Sequence, residues 1–128
     1  MTKKLDRLSL LAACKPKLRE IKLPAGTLYA KQWLVAEADE INAVARDMAK
    51  AEGDDNRRLD QEWRKLVIRY SITDDLGVHL FDNDNIDEYL QLPQETVDLL
   101  IKQALFANGV KEEQLEAVAK AGETPNPN

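Results

Sequence analysis

The stretch Glu37–Ser71, EADEINAVARDMAKAEGDDNRRLDQEWRKLVIRYS, decides the fold class. Ile41, Val44, Ala45 and Met48 recur at spacings of three and four, the period of one face of an α-helix. The spacing predicts a helix over 37–52, stopped by Gly53. Leu59, Trp63, Leu66, Val67 and Tyr70 repeat the pattern in a second helix over 56–71, with Asp54 or Asp55 placed to cap it. Two adjacent amphipathic helices around one glycine break imply a mainly α, small helical domain.

Outward from this pair, the N-terminal side changes period. Residues 17–23 and 28–35 alternate as strands do: Arg19, Ile21 and Leu23 share a face of the first, and Tyr29, Lys31, Trp33 and Val35 a face of the second. Pro24-Ala25-Gly26-Thr27 lies between them, and proline followed two places later by glycine suits a type I turn. The reading is one N-terminal β-hairpin at about 17–35. Two strands alone are marginal in water, so the hairpin must pack on the helices. Before it, residues 5–14 read as a short helix with Leu5, Leu8, Leu11 and Ala12 on one face, ended by Pro16.

On the C-terminal side, Asp74-Asp75-Leu76-Gly77 reads as a turn and residues 78–81 as a short extended piece. Asp82-Asn83-Asp84-Asn85 offers caps for a short helix over 86–91. Pro93 fits the first turn of a helix that runs to Asn108 and closes at Gly109. That helix carries Val97, Leu100, Ile101, Ala104 and Leu105 on one side, and Leu99 and Phe106 on the other. A weaker helix is expected over 111–121. The domain is expected to span 1–122, with 123–128, holding Pro125 and Pro127, a disordered tail.

Composition narrows the function classes. Hydrophobic residues make up 44% of 128, enough for one core. The net charge is −5, unevenly spread: residues 1–35 hold eight Lys/Arg against two acids, and the remainder ten against twenty-one. A basic face for phosphates is therefore restricted to the first quarter, and no nucleic-acid partner is expected. The polarity also lets a basic end meet the acidic end of a neighbour, which favours a homo-oligomer. No apolar run is long enough for a membrane span, so no membrane partner is expected either.

The chemistry-bearing residues are few. His79 is the single histidine and Cys14 the single cysteine, far apart in the chain and without a nucleophile motif. The acids at 74, 75, 82, 84, 87 and 88 invite a calcium loop. Starting the loop at Asp82 puts Ile86 where an oxygen ligand is needed and Asp87 where glycine is needed, and starting it at Asp74 puts Leu76 at a ligand position. The acids are read as caps and solvated loop. The five glycines are isolated, so no phosphate-cradling loop forms. No enzyme activity, metal or cofactor is expected. Large apolar side chains are the informative class that remains: Trp33, Leu99 and Phe106 are the candidate protein-binding residues.

The stretch from Trp63 to Leu90, WRKLVIRYSITDDLGVHLFDNDNIDEYL, carries a tryptophan on a helix. An S-x-T-D-x-x-G turn follows (Ser71, Thr73, Asp74, Gly77), then a Leu80-Phe81 pair leading through Ile86 and Leu90 into further helices. Upstream, P-x-G-T-L-Y marks the hairpin at Pro24, Gly26, Thr27, Leu28 and Tyr29. In these motifs and in element order over about 8–108 the sequence resembles the tail assembly chaperones of long-tailed, lambda-like bacteriophages. The resemblance implies a protein of the host cell cytoplasm, absent from the mature virion. Such a protein binds the tape-measure protein, keeps it soluble and helps recruit tail-tube subunits, contacting the tube protein through a frameshifted longer form. Two alternatives stand beside it. One is a small phage DNA-binding regulator, for which 56–71, with Arg57, Arg58, Arg64, Lys65 and Arg69, is the recognition-helix candidate. The other is a head–tail connector structural protein.

Overall fold

The computed structural model describes residues 4–114. Its elements are α1 (Arg7–Ala13), β1 (Leu18–Leu23), β2 (Gly26–Lys31), α2 (Val35–Lys50), α3 (Gly53–Ser71), β3 (Ile72–Thr73), a 3₁₀ helix (Ile86–Gln91) and α4 (Gln94–Ala107). The architecture is mostly α with a small antiparallel sheet. The tail and all but the first turn of the expected helix over 111–121 lie outside the described residues.

The hairpin forms around Pro24-Ala25, with Leu23 paired to Gly26 and Ile21 to Leu28. The second strand stops at Lys31, four residues short of the expected end. Leu34 is already the N-cap of α2, and its N–H donates to Glu37 Oε1 at 2.8 Å. That carboxylate bond satisfies a free amide at the helix start, so helix displaces strand from Val35 onward.

The hairpin is also not alone. β3 adds a third strand, pairing Tyr29 with Thr73 and Ala30 with Ile72. Two residues are too short to leave a period-two signature, which is why alternation did not reveal it. His79 then bridges back to Thr73, and the Leu80 N–H donates to the Ile72 carbonyl at 3.0 Å, so the expected extended piece is the return leg of this edge.

Gly53 does more than stop α2. The break falls on Ala51 and Glu52, both extended, and Gly53, at φ +60°, opens α3. Neither Asp54 nor Asp55 is the N-cap. They stand in the first turn, where their charge favours the positive end of the helix dipole. The corner is fastened instead by the Asn56 amide, which donates to the Met48 carbonyl at 2.9 Å and the Ala51 carbonyl at 3.4 Å.

Helix α3 is the centre of the molecule. Its Leu66 and Val67 join Ile41 of α2 and Ala104 of α4 in one apolar cluster, with Trp33, Val44, Trp63 and Tyr70 at the margin. Its Ile68, with Ile72 just beyond, joins Ile21, Ala30, Ile86, Tyr89, Val97 and Leu100 in the other. The C-terminal half of α3 is therefore buried on two sides. The Tyr70 hydroxyl donates to the Glu40 carboxylate across the α2–α3 seam, and burial followed by that bond raises its pKa above the ordinary 10.0. Burial likewise raises Tyr89.

Candidate protein-binding surface

Leu99 and Phe106, seven residues apart, lie on one flank of α4, beside its exposed face of Glu95, Asp98 and Lys102. Leu99 and Phe106 differ by nearly two full helical turns, so both point the same way, about 10 Å apart along the axis. Both are half-buried, while Val97, Leu100 and Ala104 on the other side are buried in the two core clusters. Arg19 reaches across from β1 to this flank. Its Nε donates to Gln103 Oε1 at 2.7 Å, and its guanidinium lies 5.2 Å from the centre of the Phe106 ring. Lys102 Nζ stands 5.7 Å from the same ring. Two cations thus lie within cation–π distance of one half-buried ring. A shallow cavity lined by Arg19, Phe106, Val110, Lys111 and Glu112 continues the surface past the end of α4.

The helix end is fixed by Asn108 and Gly109. Gly109, at φ +87°, lets the chain turn so that its N–H bonds the Phe106 carbonyl and the Val110 N–H bonds the Leu105 carbonyl. The Asn108 amide donates to the Ala104 carbonyl at 2.9 Å and the Lys31 carbonyl at 3.3 Å, and its oxygen accepts the Trp33 N–H at 2.7 Å. One side chain thus ties α4 to the exit of β2.

Trp33 lies apart from Leu99 and Phe106. It packs against the cluster that holds Ala104, and Ala104 and Phe106, two residues apart, point to nearly opposite sides of α4. Its indole N–H donates at 2.6 Å to the hydroxyl of Ser71, which is fully buried. Trp33→Phe should therefore destabilise by about 1–2 kcal/mol, the cost of leaving the Ser71 hydroxyl without its donor. Urea unfolding of this variant against Trp33→Phe/Ser71→Ala, which should recover part of the loss, checks it.

Sequence reasoning missed Arg19 and Gln103 as members of the α4 surface. They are 84 residues apart in sequence, and no periodicity links a strand to a distant helix.

The other candidate chemistry is accounted for by local bonds. Asp74 Oδ1 accepts the N–H groups of Leu76 and Val78, and Asp82 Oδ1 those of Asp84 and Asn85. No cluster of three or more His, Cys, Asp or Glu suited to a metal occurs among the described residues. His79 Nε2 lies 3.5 Å from Glu37 Oε2, and Cys14 is the exposed C-cap of α1. On α3, Arg57 pairs with Asp54, Arg64 with Asp60 at 2.9 Å and Lys65 with Asp87, while Arg69 lies over the Tyr70 ring. The recognition-helix candidate thus has most of its cations engaged within the protein. Among the described residues, no helix is long and apolar enough to cross a membrane.

The backbone matches a solved structure, that of the bacteriophage HK97 tail assembly chaperone. The TM-score is 0.59, covering 78% of this chain and 95% of that one. The chain has the fold of a phage tail assembly chaperone. The two share 13% sequence identity, so the likeness lies in the path of the backbone. No protein-family model matches the sequence, and no curated protein matches it either. In this tail assembly chaperone fold, α4 packs against the hairpin and α3 and leaves Leu99 and Phe106 half-buried.

Proposed function

We propose that the protein is a tail assembly chaperone without enzymatic activity. On this reading it binds the tape-measure protein in the host cell cytoplasm, keeps it soluble and helps recruit tail-tube subunits. It then leaves before the virion is complete. The observation that carries the reading is the shared backbone with the HK97 chaperone over most of both chains. The α4 surface supports it physically. A holdase must cover apolar stretches of a helical client, and a half-open leucine and a cation-framed phenylalanine on one rigid helix face suit helix-in-groove contact. The half-open ring of Trp33 is offered as a second, separate contact. Self-association would multiply weak contacts along one long client. Contact with the tube protein through a frameshifted longer form belongs to the same proposal.

Co-expression of the chain with the tape-measure protein of its own phage provides the test. The expected result is a tape-measure protein that stays in the supernatant with the chaperone and pellets without it. Leu99→Asp/Phe106→Asp should abolish this protection, because a buried carboxylate in an apolar contact costs several kcal/mol. Client solubility unchanged by the wild-type chain, or the chain found as a stoichiometric component of purified virions, would overturn the proposal. The second of these outcomes would favour the connector.

A further inference from the structure

Leu76, Val78 and Leu80 stand outside both core clusters and are 82%, 59% and 43% exposed. They are carried on a bonded turn. The Asp74 N–H donates to the Val78 carbonyl and the Gly77 N–H to the Asp74 carbonyl, while Asp74 Oδ1 accepts the N–H groups of Leu76 and Val78. Gly77, at φ +82°, lets the chain reverse there. Beyond it, the Leu80 N–H is bonded to the Ile72 carbonyl. Between Val78 and Leu80, His79 reaches toward the buried Glu37, its Nε2 3.5 Å from Oε2. Neighbours in an extended segment point to opposite sides, so Val78 and Leu80 both face solvent. The apolar row is therefore held in place by bonds that leave its side chains free. The chain around it carries one sign of charge. Residues 74–88 hold six acids and no Lys or Arg, and Asp75 and Asp82 bracket the row. Asp75, Asp82, Asp84 and Glu88 are exposed, and of the six only Asp87 has an ion-pair partner, Lys65, among the described residues. Arg69 is engaged over the Tyr70 ring, which lies 6.4 Å from that of His79.

We propose that this row is a docking site for a cationic amphipathic helix of a client protein. The backbone selects a helix over a strand. The N–H groups of Leu76, Val78 and Leu80 and the Val78 carbonyl are already bonded within the chain, so little is left for strand pairing and the surface offers side chains instead. The charge selects the sign: a leucine stripe flanked by lysines or arginines meets both the apolar row and the acids that bracket it, whereas an acidic helix is repelled. Two turns of helix cover so short a row, which puts the contact below the roughly 1,200 Å² of stable interfaces. Binding is therefore weak, salt-sensitive and suited to repeated capture and release along a long client. The site lies beyond β3, whereas Leu99 and Phe106 lie on α4. The inference rests on the proposed function only in taking the partner to be a client. A peptide replaces the tape-measure protein in its test, so the two readings fail separately.

The test is fluorescence anisotropy of a labelled leucine–lysine amphipathic helix, about five turns long, titrated with the full chain. A Kd of about 10–100 µM is expected for a contact of this size, weakening about tenfold between roughly 0.05 and 0.5 M salt. The same peptide with glutamate in place of lysine should not bind. Leu76→Ser/Val78→Ser should weaken binding of the lysine peptide about tenfold. Asp75→Asn/Asp82→Asn, which keeps an acceptor oxygen at each position, should weaken it about threefold and flatten the salt dependence. All four residues are exposed, so circular dichroism should show both variants folded. A wild-type chain that leaves the lysine peptide free overturns the proposal, as does one that takes the glutamate peptide equally well. Undiminished binding by the folded Leu76→Ser/Val78→Ser variant also overturns it, because the peptide is then drawn by net charge or by another face. So does binding that emerges only when Leu8→Asp/Leu11→Asp is introduced, since α1 is then what covers the row.

Discussion

Glu37→Ala is expected to cost the fold about 3–5 kcal/mol, the usual result of removing one partner from a buried ion pair. Lys31 Nζ lies 2.6 Å from Glu37 Oε1, and the two side chains are 7% and 10% exposed. The lysine is satisfied by that carboxylate and by the Gln32 carbonyl at 2.9 Å. Without Glu37 the ammonium stays buried with only a carbonyl, and the Leu34 N–H loses its acceptor at the start of α2. The pair sits where the chain passes from sheet to helix, so the loss is felt by both. Lys31→Met/Glu37→Leu should recover all but about 1 kcal/mol, because two apolar side chains leave no buried charge, and what is lost is the helix cap and the long contact to the partly exposed His79. Urea unfolding of the single and double variants decides it. A single variant within about 1 kcal/mol of wild type would mean that the pair is not held out of water as the structure places it.

Ile68→Ala is expected to cost about 3 kcal/mol, and Leu59→Ala only about 1 kcal/mol. The two positions lie on the same helix. Ile68 is 0% exposed and joins α3 to the sheet-side cluster. Leu59 is half-buried near the N-terminal end of α3 and belongs to neither cluster. Removing Ile68's methyl groups leaves a cavity walled by β2, β3 and α4 that cannot collapse without moving three elements, whereas solvent refills the space beside Leu59. Equal losses at the two positions in urea unfolding would contradict this account of the core.

The contrast shows what a periodic reading can and cannot resolve. Ile41, Val44, Leu66 and Val67 were legible because an amphipathic helix with one neighbour writes that neighbour into its spacing. Ile68 falls off the stripe because α3 has a second neighbour, formed by segments before and after it in the chain. Ser71, read as a turn residue, is buried for the same reason and receives the Trp33 indole. The α4 surface divides similarly. Leu99 and Phe106 stand out in sequence as apolar residues off the main face of their helix. Arg19 and Gln103, which frame the phenylalanine, do not stand out at all.

Local spacing and composition specify the kind of each long element, the proline- and glycine-marked corners, the short helix at Ile86–Gln91 and the scarcity of His and Cys. These depend on interactions within about four residues, or on composition, and both are written locally. Packing between remote segments is what joins β3 to the hairpin, buries Lys31 with Glu37 and encloses α3 on two sides. It alone left α1 with its leucines in solvent. A side chain's burial depends on which remote segment covers it, and that is settled by the packing of the whole chain.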